Sequence, residues 1–235
     1  MKKSLAKKPK IVALVPMRHH SQRVAQKNYR DFDGEPLFYR ILKTLSESSL
    51  IDSVYINTDS PNIKSESPRI HPKVKIIDRP KHLCADDVPM NDILLYDVKQ
   101  IEADYYLQTH STNPMLKRAT IERAIKTLLA DPNKDSLFSV TRLQTRLWDQ
   151  NFRPINHDLN KLIRTQDLPP VYEENSNIYI FTKESLEKRK NRIGERPLVF
   201  EIPKVEAMDI DEEIDFQVAE ILFQLGKEKH QFADK

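Results

Sequence analysis

The run IVALVPMRHHSQRVAQKN, residues 11–28, decides how the rest of this chain is read. Ile11, Val12, Ala13, Leu14 and Val15 form an unbroken apolar stretch closed by Pro16, the length and composition of a buried β-strand. The loop that follows presents Arg18, Ser21, Arg23, Lys27 and Asn28 before an apolar helix begins near Pro36. Cations and hydrogen-bond donors suit phosphate oxygens, and a planar guanidinium can bind them in bidentate fashion. A solvated basic turn would have a similar composition. The position favours a polyphosphate site, because open α/β sheets take their ligands beyond the carboxyl ends of the strands.

Working outward, apolar spacing predicts helices over residues 36–50, 90–103, 119–130 and 211–225, with short ones at 61–66 and 185–192. Strands are expected at 54–57, 74–77, 104–108, 137–141, 175–181 and 199–205. Strands alternating with helices imply an α/β domain over residues 11–226, a mainly parallel sheet flanked by helices. Residues 142–172 break the rhythm, with Trp148 and several Pro and Asn residues, and read as a small dimerisation or lid excursion. Residues 1–10 read as a basic flexible arm and residues 227–235 as a flexible tail.

Composition narrows the function classes. With 31% charged and 39% hydrophobic residues, the chain is ordinary for a water-soluble domain and has no apolar run of membrane-spanning length. No apolar region of signal-peptide length precedes a small-residue cleavage site. The single cysteine, Cys84, excludes an intrachain disulfide framework and fits a cytoplasmic setting. Only three glycines occur, which rules out a Gly-rich phosphate loop and leaves phosphate binding to side chains and ordinary backbone N–H groups. A net charge of +3 with interspersed acidic residues gives no reason to expect a nucleic-acid partner.

A second informative stretch is EAMDIDEEIDFQVAE, residues 206–220. Asp209 and Asp211 are two apart, so an extended chain projects both to one side. Two carboxylates placed together repel unless a cation lies between them, and Mg²⁺ takes hard oxygen ligands of this kind and shares them with phosphates. Asp is also a common residue at helix N-termini, which is the alternative for a pair just ahead of a helix. His19 and His20 are consecutive in a coil, a poor arrangement for one metal, and read as loop lining.

The pattern of these residues resembles the acylneuraminate cytidylyltransferase family, the CMP-sialic acid synthetases. In that family the first strand is followed by Arg, then Ser-Lys-Gly, then Lys-Asn. Arg18, Ser21, Lys27 and Asn28 match, whereas Gln22 and Arg23 replace the Lys and Gly. The Asp-Ile-Asp of residues 209–211 resembles the family's metal-binding pair. Asn57-Thr58-Asp59 resembles its Ser-Thr-Asp. Arg79-Pro80, with Leu83, Cys84 and Asp86, resembles the segment beside the cytosine and ribose. Gln108 matches a residue facing the sugar, and the following THSTNPML carries one extra residue. Asn175 and Tyr179 match sugar-contacting positions, with Ser176 in place of Gly. Arg164 and Gln166 lie in a segment that resembles the one reaching toward the sugar acid.

The resemblance implies a Rossmann-like nucleotidyltransferase fold and a homodimer. It implies transfer of CMP from CTP to the anomeric hydroxyl of a 2-keto sugar acid with release of pyrophosphate. Asp209 and Asp211 would hold Mg²⁺. Arg18, Lys27 and Asp211 would be catalytic. Arg18, Ser21, Arg23, Lys27, Asn28, Arg79 and Cys84 would bind the nucleotide, and Gln108, Arg164, Asn175 and Tyr179 the sugar. Gln22 cannot supply the charge of the usual Lys. Arg23 is expected to supply it, so that Arg23→Ala costs far more activity than Gln22→Ala. A different acceptor, or a nucleotide-binding paralogue without turnover, are the other readings.

Overall fold

The computed structural model describes residues 8–19 and 24–233, with side chains described as far as Lys227. His20, Ser21, Gln22 and Arg23 therefore lie outside the described residues, as do residues 1–7 of the basic arm. At the described end of that arm, the Lys10 backbone N–H donates to Asp104 Oδ2 at 2.6 Å and Lys8 Nζ to the Ser49 carbonyl at 2.8 Å.

The opening strand β1, Ile11–Leu14, is fully buried, and its side chains alternate between two cores. A small hairpin follows, β2 at Asp31–Phe32 and β3 at Glu35–Pro36. Its turn places Asp33 at φ 57° and Gly34 at φ 86°, the pair of positive angles that an Asp-Gly hairpin turn requires. Then come α1 (Leu37–Ser46), β4 (Ser53–Thr58), α2 (Pro61–Glu66), β5 (Val74–Asp78), α3 (Met90–Gln100), β6 (Tyr105–Gln108), α4 (Arg118–Leu129), β7 (Ser136–Leu143), β8 (Val171–Phe181), α5 (Lys183–Arg189), β9 (Pro197–Glu201) and α6 (Glu213–Ala233).

Among the described residues the main sheet has seven strands in the order β5-β4-β1-β6-β8-β7-β9. All pairings are parallel except those of β8, which runs against both β6 and β7. Ile11, Ala13 and Val15 pack with Ile41 and Leu45 of α1 and Ile121 and Ile125 of α4, whereas Val12 and Leu14 pack with Leu94 and Val98 of α3 and Leu186 of α5. Helices thus cover both faces, as a buried parallel sheet needs. The chain builds outward from β1 to β4 and β5, then returns to place β6 on the other side of β1. The order reverses between β1 and β6, and the segments leaving their carboxyl ends must diverge there.

Several boundaries differ from the sequence reading. The 31–36 hairpin was not anticipated, although Asp33-Gly34 is its signal. Residues 142, 143, 171 and 172 extend β7 and β8, so the irregular excursion shrinks to residues 144–170. The charged helix expected at 185–192 begins earlier, where the Thr182 side chain accepts from Ser185 N, and ends at Arg189 because Lys190 turns left-handed at φ 52°. The last apolar strand stops at Glu201, and α6 continues through Lys227 to Ala233, where a flexible tail was expected. Lys227 pairs with Asp33 of the hairpin turn, which ties that part of the helix to the hairpin. Among the described residues no helix is long and apolar enough to cross a membrane.

Candidate active site

Beyond the carboxyl ends of β1 and β6 lies a cleft of about 480 Å³. One wall comes from Pro16, Met17, Arg18, Lys27 and Asn28 after β1, another from His110, Ser111 and Thr112 after β6. Arg79, Leu83, Ala85 and Met90 close the β5 side, Ser176 and Arg192 the β8 side, and Asp209 and Asp211 complete it. Residues more than 180 positions apart therefore share one space at the point where the strand order reverses.

The loop after β1 is tied down from several directions. Ser111 Oγ donates to Asn28 Oδ1 at 2.7 Å, and Asn28 Nδ2 donates to the Arg18 carbonyl at 3.4 Å, so buried Asn28 joins the β1 and β6 loops. The His19 N–H donates to Asp59 Oδ1 at 2.9 Å, which makes the Asn57-Thr58-Asp59 end of β4 a support for the loop. Arg18 pairs with Asp86 across the mouth of the cleft, with both side chains substantially exposed. A pair so exposed is worth little, so an incoming phosphate can take its place.

Lys27 Nζ donates to the carbonyl of Ile210. Ile210 is fully buried with Phe32, Leu37, Phe216 and Ala219, a cluster made by the small hairpin, the start of α1 and α6, and its N–H donates to the Thr112 carbonyl at 3.0 Å. Because Ile210 points into that cluster, Asp209 and Asp211 on either side of it turn toward the cleft. The helix-capping role falls to Asp215, whose Oδ2 accepts from the N–H groups of Asp211 and Glu212 at 3.0 and 2.7 Å. Neither cleft carboxylate is needed for that purpose.

Asp209 Oδ1 is buried with no hydrogen-bond partner. Burial holds the Asp209 pKa above the ordinary range, and the neighbouring Asp211 charge pushes the same way, against a Thr112 hydrogen bond and Lys27. An orphaned carboxylate oxygen facing a second carboxylate is a fit for a hard divalent cation. Among the described residues no three His, Cys, Asp or Glu side chains gather as a metal-binding group. A two-carboxylate set that leaves positions for phosphate oxygens is the usual arrangement for Mg²⁺.

On the β5 side, Arg79 is buried and spends Nε on Asn57 Oδ1 at 2.6 Å and Nη2 on the Asn57 carbonyl at 2.9 Å. Its Nη1 is buried without a partner, leaving a donor for a ligand carbonyl. Behind it, Asn57 Nδ2 donates to Asp97 Oδ1 at 2.5 Å, and burial pushes the Asp97 carboxyl up to about 7. Cys84, a nucleotide residue by resemblance, is half-buried with its thiol turned to the Pro80 carbonyl at 3.5 Å, and does not line the cleft.

On the β8 side, β8 carries a large bulge. Phe138 pairs with Tyr179 and Val140 with Glu174, so Ser139 alone faces residues 175–178. Ser139 Oγ holds the bulge by donating to Asn175 Oδ1 at 2.6 Å and accepting from Ile178 N at 2.8 Å, and Asn175 Nδ2 donates to Thr141 Oγ1 at 2.9 Å. Asn175 is thus engaged with β7 instead of lining the cleft. The bulge presents Ser176, at φ 57°, to the cleft. Gln108 and Tyr179 are buried one layer behind, both against Arg192, which does line it. Arg164 lies in the excursion, exposed and paired with Asp167 at 2.7 Å in the short turn Thr165–Asp167, and is not brought to this cleft.

Among the described residues, His110, Ser111, Thr112 and Arg192 are polar lining residues that sequence reasoning did not single out. His110 falls in the loop with the extra residue. Arg192 sits in the stretch KRKNR, indistinguishable by composition from a solvated helix face.

A family model described as cytidylyltransferase matches residues 12–229. The chain is 28% identical over 233 residues to a CMP-N,N'-diacetyllegionaminic acid synthase of Legionella pneumophila, covering 93% of this chain and 98% of that one. It is 23% identical over 220 residues to an N-acylneuraminate cytidylyltransferase of Streptococcus agalactiae, covering 88% of this chain but spanning only 52% of that relative's length. Among solved structures, a CMP:2-keto-3-deoxy-manno-octonic acid synthetase complexed with CTP superposes with a TM-score of 0.67 at 14% identity, over 92% of this chain and 99% of that one, which establishes a shared Rossmann-like nucleotidyltransferase fold. With the model match running through both the loop after β1 and the Asp-Ile-Asp segment, this chain belongs to the cytidylyltransferase family and is a nucleotidyltransferase.

Proposed function

We propose that the chain transfers CMP from CTP to the anomeric hydroxyl of a sialic-acid-like 2-keto sugar acid. The observation that carries this reading is the Asp209–Asp211 pair, with its orphaned oxygen, set beside Lys27 at the reversal of strand order. The sugar-acid names of the relatives support the acceptor class, and the CTP-bound neighbour supports the nucleotide.

In the reaction, the anomeric oxygen forms a bond to the α-phosphorus as the bond to the bridging oxygen of pyrophosphate breaks. The hydroxyl proton passes to water, and pyrophosphate leaves with the electron pair of the broken bond. Little covalent chemistry is asked of the protein, which contributes positioning and charge. Arg18, released from Asp86, and Lys27 would bind the triphosphate and stabilise the leaving pyrophosphate. Ser21 would join them by family resemblance, and Arg23 by supplying the charge that Gln22 lacks. Arg79 Nη1 would donate to the cytosine carbonyl. Mg²⁺ held by Asp209 and Asp211 would supply charge to the phosphate oxygens and lower the pKa of the attacking hydroxyl.

The excursion supports a homodimer. Phe152, Ile155, Leu159 and Leu162 are 55–90% exposed there, with Trp148 half-exposed beside them. Apolar side chains gathered on one excursion mark an interaction surface, which a second copy would cover. Leu162→Glu is expected to convert a dimer to monomer in analytical ultracentrifugation.

The deciding experiment is pyrophosphate release with each of the four nucleoside triphosphates against a panel of 2-keto sugar acids, with and without Mg²⁺. Release that needs CTP, Mg²⁺ and one acid is the expected result. Calorimetric binding of CTP without turnover on any acid overturns the acceptor assignment, and absence of CTP binding overturns the site itself.

A further inference from the structure

Arg192 is held in the cleft wall by contacts that leave its charge uncancelled. Nη1 donates to Gln108 Oε1 at 2.7 Å, and the guanidinium carbon lies 3.5 Å from the centroid of the Tyr179 ring. The Arg192 N–H donates to Asn91 Oδ1 at 3.1 Å, which fixes the turn after α5. Among the described residues no carboxylate stands within ion-pair distance of this guanidinium. Glu174 acts on it from beyond that distance, and its Oε1 accepts from the Tyr179 hydroxyl. Burial accordingly lowers the Arg192 pKa, although a guanidinium stays charged. A desolvated cation, preorganised and lacking a carboxylate, is a site for an anion.

The hydrogen bonds around it also settle what His110 offers. Arginine only donates, so Gln108 must turn its oxygen to Arg192 and its amide nitrogen away. That nitrogen lies 3.1 Å from His110 Nε2, which must then accept, and the ring proton resides on Nδ1. Burial, with Arg192 and Lys27 nearby, pushes the His110 pKa down to about 4, so the ring is a neutral donor at physiological pH. Arg192 on the β8 side and neutral His110 in the adjoining β6 wall thus give this part of the cleft one cation and, among the described lining residues there, no carboxylate.

We propose that Arg192 is the ligand for the acceptor's carboxylate, with Gln108 and Tyr179 as the residues that position it. This rests on the transferase reading above. Arg79 and the loop after β1 lie on the other side of β6 and serve the nucleotide in that reading, so the anion left for Arg192 is the sugar acid's own. The assignment replaces Arg164 of the same subunit, which is exposed and already paired.

The test measures initial rates at saturating CTP and Mg²⁺ while titrating the accepted sugar acid and its methyl ester, for wild type, Arg192→Gln and Arg192→Lys. Loss of a charge-assisted pair is expected to raise KM for the acid by about 10- to 100-fold in Arg192→Gln, with KM for CTP unchanged. Arg192→Lys restores part of the effect, because it keeps the charge and loses the planar fork. Wild type favours acid over ester, and Arg192→Gln does not. An unchanged KM for the acid, a rise confined to CTP, or a preserved acid-to-ester ratio overturns the proposal. If Arg192→Gln does not fold, the equally uncharged Arg192→Met takes its place, and its acid-to-ester ratio is read in the same way. A wild type that releases no pyrophosphate with any acid overturns the transferase reading, a result distinct from active variants that discriminate normally.

Discussion

On the β1 side of the cleft, Arg18, Lys27 and Asn28 follow a strand buried on both faces, and Asp209 and Asp211 flank an isoleucine anchored in a separate apolar cluster. On the β8 side, Ser176 stands on a bulge of an antiparallel strand and Arg192 on a turn just past a short helix. The first wall is built where strand order and a buried residue dictate direction. The second depends on departures from regular structure, a bulge and a left-handed helix end. The phosphate chemistry proposed for the first wall is common to nucleotidyl transfer, whereas the second is the wall proposed to meet the acceptor. Acceptor choice can then change through a bulge or a turn while the β1 side stays as it is.

The comparison is broken most severely at Asp211. Asp211→Asn keeps the shape and removes one of two facing carboxylates. Turnover is expected to fall by about 10³-fold. Stability should hold or rise, because Asp209 loses a repelling neighbour. Activity assays paired with thermal melting check both halves, and a variant that loses stability along with activity would show the pair to be structural. Ile210→Ala probes the anchor instead of the ligands. It opens a cavity against Phe32 and Phe216 and is expected to cost about 3 kcal/mol in urea unfolding. Activity should drop as well, although no cleft side chain is removed.

The two walls also differed in how far they could be read from sequence. The Ile11–Val15 run, the cations after it and the Asp-Ile-Asp spacing are local patterns, and local geometry put Arg18, Lys27, Asn28, Asp209 and Asp211 around one cleft. The hairpin that fixes Ile210 was missed, since two-residue strands carry no periodicity, although Asp33-Gly34 named its turn. Arg192 was hidden for a different reason. Its direction depends on where α5 stops, and Lys190 at φ 52° has no glycine to announce it. Cys84, Asn175 and Arg164 matched family positions, yet a thiol turned to Pro80, a bulge clasped by Ser139 and an ion pair with Asp167 direct them elsewhere in this chain. Tertiary partners made those choices, and sequence spacing does not report them.

The support behind Arg79 predicts a pH effect. Asp97 is buried, and its carboxyl is pushed up to about 7 in the fold against an ordinary 3.8. Between these values the unfolded chain has already released the proton that the fold retains. Stability from this group is therefore lost as pH rises from about 4 to about 7. In Asp97→Asn that dependence disappears, and the Asn57 amide keeps an acceptor. Relative to wild type, the variant should gain up to about 4 kcal/mol across the window, read from urea midpoints at pH 4 and pH 7. A constant difference between the two proteins would mean that Asp97 is ionised throughout, paired with Arg79.

The smallest effect sharpens the contrast at the bulge itself. Ser176 holds φ 57°, a region that costs a residue with a side chain about 1–2 kcal/mol and glycine almost nothing. Ser176→Gly removes that strain but adds freedom to the unfolded chain, worth roughly 0.5–1 kcal/mol in the other direction. It also removes the contact at 3.3 Å between Ser176 Oγ and the Tyr179 hydroxyl. The net change should be a gain of no more than about 1 kcal/mol, or roughly 2–4 °C in Tm for a chain of this size. If the bulge is held by Ser139 and Asn175, its shape survives the substitution, and KM for the acid stays near that of wild type. A large rise in that KM with unchanged Tm would instead make the Ser176 hydroxyl a direct partner of the acceptor, and would move part of the recognition from Arg192 to the bulge.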